Sequence, residues 1–180
     1  MFYIANNINY LSAEGLPWIL CAWLGLVFFN SFATFFHELG HILSALILTK
    51  DEVMLRVGRE IKSRSKLGKI GRVHWQLSFF NGREGFSGYA RDGLSKLKLI
   101  IIISSGPLAS FLLAVGTGWV IFAFMFSTWI EVILVSWFCA NTLAFFRSAL
   151  PVNLKPTATF PKGPPSDGLE LMRIVFNREK

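Results

Sequence analysis

The sequence predicts an integral membrane protein that is mainly α-helical: three transmembrane helices, a small membrane-associated β-sheet and a short C-terminal helix. Three observations predict it. Of the 180 residues, 53% are hydrophobic and 15% aromatic, and the mean hydropathy is +0.49, too apolar for a water-soluble domain of this length. Three runs of membrane-crossing length carry almost no formal charge. The charge that remains is concentrated: Lys50 to Lys98 holds 12 of the 18 Lys/Arg and 5 of the 11 Asp/Glu residues, so it carries the whole net +7. A basic segment can mark a nucleic-acid surface, but one lying between two apolar runs follows the positive-inside rule instead. It can also attract anionic cytoplasmic lipid. No nucleic-acid partner is expected.

The chain reads as a single unit, residues 1–180. Residues 1–15 form a polar and aromatic leader without a basic n-region, so no cleaved signal peptide is expected. The first span covers about 16–49, closed by Lys50 and Asp51. At ~1.5 Å per residue it is longer than a ~30 Å hydrocarbon core, so it tilts, kinks or protrudes. Region 51–96 reads as interfacial strands. Val53, Leu55 and Val57 alternate, and Val73, Trp75, Leu77 and Phe79 alternate opposite His74, Gln76 and Ser78. Phe86, Gly88 and Ala90 follow a turn-like Asn81-Gly82, which predicts a hairpin. Arg59 to Arg72 reads as a charged loop.

The second span covers about 99–126 and the third about 129–150, with Ser127-Thr128 as a tight turn between them. Pro151 ends the third. Segment 151–176 begins as a loop with five prolines between 151 and 166. It continues from Asp167-Gly168 into a stretch where Leu169, Met172, Val175 and Phe176 have helical spacing. Without a Lys or Arg before Lys50, the N-terminus is expected outside. The 50–98 loop and the C-terminus are then cytoplasmic. Cys21 and Cys139 both fall in apolar spans and read as small buried hydrophobes.

The residues that point to chemistry lie in the first span. His37-Glu38-Leu39-Gly40-His41 interrupts a run in which Glu38 is the one formally charged side chain from Leu16 to Leu48. An ionisable cluster in hydrocarbon is costly, so it marks a functional site. H-E-x-x-H on a helix places both histidines on one face, where each can offer a neutral imidazole nitrogen to one Zn²⁺. Glu38 beside them is placed to act on a metal-bound water. A catalytic zinc takes three protein ligands. Of the remaining candidates, His74 falls in the cytoplasmic strands, Asp167 follows the proline-broken loop, and Glu170 comes one turn later. Asp167 is the preferred third ligand and Glu170 the reserve, although an Asp after a Pro/Ser loop is also an ordinary helix N-cap. Ser104 to Ser110 reads as a small-residue packing face for close helix approach.

These motifs, in this order, resemble those of the site-2 protease family of intramembrane zinc metalloproteases. His37 to His41 looks like its zinc motif. Ser105-Gly106-Pro107-Leu108-Ala109-Ser110 is similar to its Ala-Gly-Pro-x-x-Asn helix start. Asn153-Leu154 with Pro164-Pro165-Ser166-Asp167-Gly168 is similar to its Asn-Pro-x-x-Pro-Leu-Asp-Gly segment. The resemblance covers roughly residues 20–175. It implies one Zn²⁺ held by His37, His41 and Asp167, with Glu38 as the catalytic residue and Asn153 as a substrate contact. Three features depart from the pattern: Ser110 stands for Asn, Ser166 stands for Leu, and 14 residues separate Asn153 from Asp167.

The expected activity is hydrolysis of a peptide bond in or near a transmembrane segment of another membrane protein. The short chain, without a PDZ domain, looks like a minimal core in a prokaryotic plasma membrane. Two other readings stay open: an inactive protein of the same fold that binds or chaperones membrane partners, and a metal transporter. The intact His-Glu-His-Asp set argues against the first, and the single ligand cluster argues against the second.

Overall fold

The computed structural model describes residues 15–58, 68–78, 84–156 and 162–176. The leader before Gly15, most of the Arg59–Arg72 loop, Phe79 and the Asn81-Gly82 turn lie outside the described residues. The order is α1 (Leu16–Leu48), β1 (Val53–Val57), β2 (Gly68–Ile70), β3 (Val73–Leu77), β4 (Gly85–Gly88), α2 (Lys96–Ala123), α3 (Thr128–Ala149) and α4 (Asp167–Val175). The helices α1, α2 and α3 are long and apolar enough to cross a membrane.

α1 is one unbroken helix of 33 residues with Pro17 in its first turn, where the missing N–H is harmless. At its other end the last carbonyls meet cations. Arg72 donates to Thr49 O and Leu46 O, each at 2.8 Å, and Lys98 Nζ donates to Leu48 O at 3.3 Å. Positive charge at a helix C-terminus complements the dipole. α2 begins three residues earlier than the predicted span and ends three earlier. Ser95 caps it and accepts from Lys98 N, so Lys96 and Lys98 join the first turn, and their long stems carry the charge away from the apolar run. Phe124 to Ser127 then forms a wider turn than the predicted Ser127-Thr128.

α1 and α3 lie side by side and run in the same direction. Trp18 stacks edge-on against Trp129 at 4.6 Å, Ser136 Oγ donates to Ala22 O at 3.1 Å, and Phe36 meets Trp137 at 5.8 Å. A Cβ added at Gly25 would lie 2.5 Å from Ser136 Oγ, and one at Gly40 would lie 2.6 Å from Ser105 O. Small residues thus let both α3 and α2 approach α1 closely.

The sheet order is β2-β3-β1-β4. β1 is central because Val53, Leu55 and Val57 are all buried. It pairs in parallel with β3 and antiparallel with β4. The predicted hairpin between the 73–79 and 86–90 segments is therefore corrected, since β4 crosses to the far side of β1. The predicted 59–72 loop contains a strand, β2, which turns into β3 through Gly71 at φ 58°. Three residues centred on Lys69 are too few to show alternation. Gln76, placed by the pattern on the polar side, is buried. Ile42, Ala45, Val53, Leu55 and Ile102 form the core that joins the sheet to α1 and α2.

Candidate metal centre

Two turns of α1, the middle of α2 and the first residue of α4 converge. His37 Nε2 lies 3.0 Å from Asp167 Oδ2, His41 Nε2 lies 3.5 Å from Asp167 Oδ1, and the two Nε2 atoms are 3.3 Å apart. Both histidines are buried and Asp167 is half-buried. The sequence predicted this trio, and the fold brings it together across 130 residues of chain.

Each imidazole is oriented through its other nitrogen. His41 Nδ1 lies 2.7 Å from Ile102 O. A carbonyl can only accept, so the proton is on Nδ1, and in the neutral ring the Nε2 lone pair points to the trio. His37 Nδ1 lies 3.1 Å from Ser110 Oγ. Such outer partners set tautomer and ring angle in metal-binding histidines. Pro107 lies inside α2, and next to it Ser105 Oγ also reaches Ile102 O, at 2.6 Å. Gly106 is required by contact: a Cβ there would run into the His41 imidazole.

Glu38 is buried beside this trio. β4 covers it. The Ser87 side chain hydrogen-bonds its carboxylate, and a Cβ at Gly85 would collide with Oε1. One edge of β4 is taken by β1, and no strand pairs with the other among the described residues.

Asp167 is set in place by Ser166. The Ser166 hydroxyl donates to Leu150 O at 2.5 Å and accepts from Val152 N and from Leu169 N, each at 3.2 Å. One buried side chain thus joins the end of α3 to the cap of α4. The flanking backbone closes a small antiparallel bridge: Asn153 pairs with Pro165, Leu154 N donates to Pro164 O at 2.8 Å, and Ser166 N donates to Val152 O at 2.9 Å. A Cβ at Gly168 would meet Ala149 O, so only glycine lets α4 start this close to α3.

The other predicted candidates are elsewhere. Asn153 is exposed, tied in through its backbone bridge and two residues from the metal trio only by way of Pro165. Glu170, the reserve ligand, is instead ion-paired with Arg91, whose guanidinium lies 5.1 Å from the centre of the Tyr89 ring. His74 Nε2 lies 2.9 Å from Glu52, which also takes Lys69 at 2.6 Å on the exposed side of the sheet. Sequence reasoning read Gly106 and Ser110 as packing residues and as part of the family-like Ser105–Ser110 segment, without a contact to the histidines. Their spacing of four on α2, opposite a histidine pair also spaced by four, is the signal that could have found them. Ser87 and Ser166 left no such signal.

No family model, curated protein or solved structure matches the chain.

Proposed function

We propose that the chain is an intramembrane zinc endopeptidase of the site-2 protease type, cutting in or near a transmembrane segment of another membrane protein. One observation carries the reading: two imidazole nitrogens and a carboxylate oxygen converge within 4.8 Å, each imidazole is oriented from behind, and a buried glutamate stands beside them. Two ligands ~2.0–2.1 Å from one tetrahedral ion are themselves about 3.3 Å apart, and the three nearest separations here are 3.0, 3.3 and 3.5 Å. His37, His41 and Asp167 would hold the ion and leave one position open.

Bound zinc supplies Lewis acidity toward the scissile carbonyl and lowers the pKa of water. Glu38 takes the proton from the attacking water and hands it to the leaving nitrogen. Ser87 and Gly85 keep its carboxylate facing the reaction centre. The edge of β4 that no described strand takes receives an extended stretch of substrate by strand addition, which presents its amide beside Glu38. Asn153 contacts the incoming chain from the exposed 151–156 segment. The basic 50–98 segment sets the orientation, with the sheet and α4 on the cytoplasmic side of a prokaryotic plasma membrane.

The test is the zinc content of detergent-purified wild type beside Asp167→Ala. About one zinc per chain in wild type and little in the variant supports a three-ligand site. A wild type that binds no zinc after supplementation overturns the protease reading in favour of an inactive partner-binding protein. Equal retention in the variant removes Asp167 from the ligand set.

A further inference from the structure

We propose that Arg91 keeps the metal centre open: by pairing with Glu170 it holds a competing carboxylate away from His37, His41 and Asp167, so that three protein ligands, not four, face the ion. The proposal rests on the zinc reading above and adds a residue that lies outside all of the motifs.

The need for such a device follows from the chemistry. A catalytic zinc takes three protein ligands and keeps one position for water, whereas a structural zinc is closed by four. The chain carries more carboxylates around the trio than an open site can use. Glu38 is one, and Ser87 and Gly85 hold it under β4. Glu170 is the other. Asp167, Glu170 and Ile174 follow one another at spacings of three and four, so they share one side of α4. That side is covered by the bundle: Ile174 is buried, and the Glu170 side chain is 19% exposed against 21% for Asp167. In a helix each Cα–Cβ bond tilts toward the N-terminus, and side chains three apart have Cβ atoms ~5–6 Å from one another. A glutamate one turn after Asp167 therefore leans back toward the trio, and its side chain is one methylene longer than that of aspartate. Burial raises the Tyr89 phenol, and Glu170 and Asp167 both add to the rise, so one ring stands within electrostatic range of both acids.

Arg91 supplies the opposing pull. It follows the end of β4 at Gly88 closely, and its Nη1 donates to Glu170 Oε1. Its guanidinium lies 5.1 Å from the centre of the Tyr89 ring, and Tyr89 packs on the core formed by Ile42, Ala45, Val53, Leu55 and Ile102. The cation is thus seated on the core shared by the sheet and α1, not on α4. A guanidinium stays charged at any working pH, so the partner for Glu170 is always present. Attachment of α4 does not need this pair. Ser166 caps the helix from the end of α3, Gly168 fits against Ala149 O, and Lys96 Nζ donates to Val175 O at 3.2 Å. With both ends of α4 already tied, what Arg91 adds is the direction in which Glu170 points.

The experiment loads Co²⁺ into detergent-purified wild type, Arg91→Met and the double variant Arg91→Met/Glu170→Gln. Each visible spectrum is then titrated with acetohydroxamate, which needs an open position on the metal. Wild type is expected to bind acetohydroxamate. Arg91→Met should keep its Co²⁺, show a shifted spectrum before any addition, and require several-fold more acetohydroxamate. Removing the freed carboxylate in the double variant should return both the spectrum and the acetohydroxamate affinity to wild type. An Arg91→Met protein equal to wild type in both readouts overturns the proposal. So does a loss of Co²⁺ binding in Arg91→Met that Glu170→Gln leaves unrepaired, which would mean that Arg91 only holds α4 in place. If wild type binds neither Co²⁺ nor Zn²⁺, the zinc reading itself fails and the proposal with it. Should Arg91→Met not fold, Arg91→Gln, which keeps a hydrogen-bond donor without the charge, is judged by the same outcomes.

Discussion

The helical bundle and the sheet differ in what they turn outward. In the bundle Trp23, Phe28, Trp119 and Phe122 point outward, while Ser31, Ser110, Ser136 and Asn141 are inside. In the sheet Val53, Leu55 and Val57 are inside, and Lys69, Glu52 and His74 pair on the exposed side. Large apolar side chains exposed in rows are costly in water and cost nothing in hydrocarbon, so the two regions read as built for two solvents. Two glutamates make the same contrast. Glu38 is buried under β4, and removing its charge should matter to function. Glu52 stands open between Lys69 and His74, in high dielectric, where ion pairs contribute little.

The largest expected effect tests the bundle side of this contrast. Glu38→Gln keeps the shape and removes the base, so cleavage of a membrane-embedded model substrate should fall by about 10²–10⁴ while zinc content stays at the wild-type level. Full cleavage by the variant would remove Glu38 from the mechanism. Loss of zinc would show that its role is to hold the site together.

An intermediate effect is expected from Gly106→Ala. The added methyl meets the His41 ring, an overpacking that costs about 1–3 kcal/mol, and the ring must shift from Ile102 O. Disturbed outer-shell partners lower metal affinity by about 10–100-fold, so a competitive chelator titration should show weaker zinc binding beside a lower thermal unfolding temperature in detergent. Unchanged zinc affinity would mean that α2 yields around the methyl and that the close contact does not orient His41.

The smallest effect belongs to the sheet. The Lys69 hydrogen bond and then the His74 bond hold the Glu52 carboxyl below its ordinary range. A depressed carboxylate stabilises above its unfolded pKa, and that contribution is lost as pH falls through the lower folded value. Glu52→Gln should therefore match wild type in zinc content and thermal unfolding at neutral pH, and should lack this part of the wild-type decline in acid. A large loss at neutral pH would show that the exposed trio supports the sheet, and the contrast between the regions would weaken.

Much of the site was legible because its signals are local. The four-residue spacing of His37 and His41 fixes a common helix face whatever the rest of the chain does. The apolar runs gave α1 and α3 to within a residue, and α2 with a shift of three. The sheet order was not legible. Asn81-Gly82 is a short-range hairpin signal, but pairing is decided by burial: the strand with three buried apolar residues takes the centre, and β3 and β4 flank it. The roles of Gly106, Ser110 and Ser166 were hidden for a related reason. A small residue on an apolar helix packs against whatever faces it, and what faces it is a property of the assembled bundle.

By itself, then, the sequence determined the three apolar helices, the histidine pair with its glutamate, and the charge asymmetry of the 50–98 segment. Each follows from residues within a few turns of one another, where periodicity and composition act. Only the tertiary structure decided that Ile102 O and Ser110 orient the histidines across 61 and 73 residues, and that the apolar stripe of α4 faces outward. The second outcome depends on α3 stopping where Ser166 and Gly168 let α4 begin, and both are set by close packing between segments distant in the chain, which no local pattern encodes.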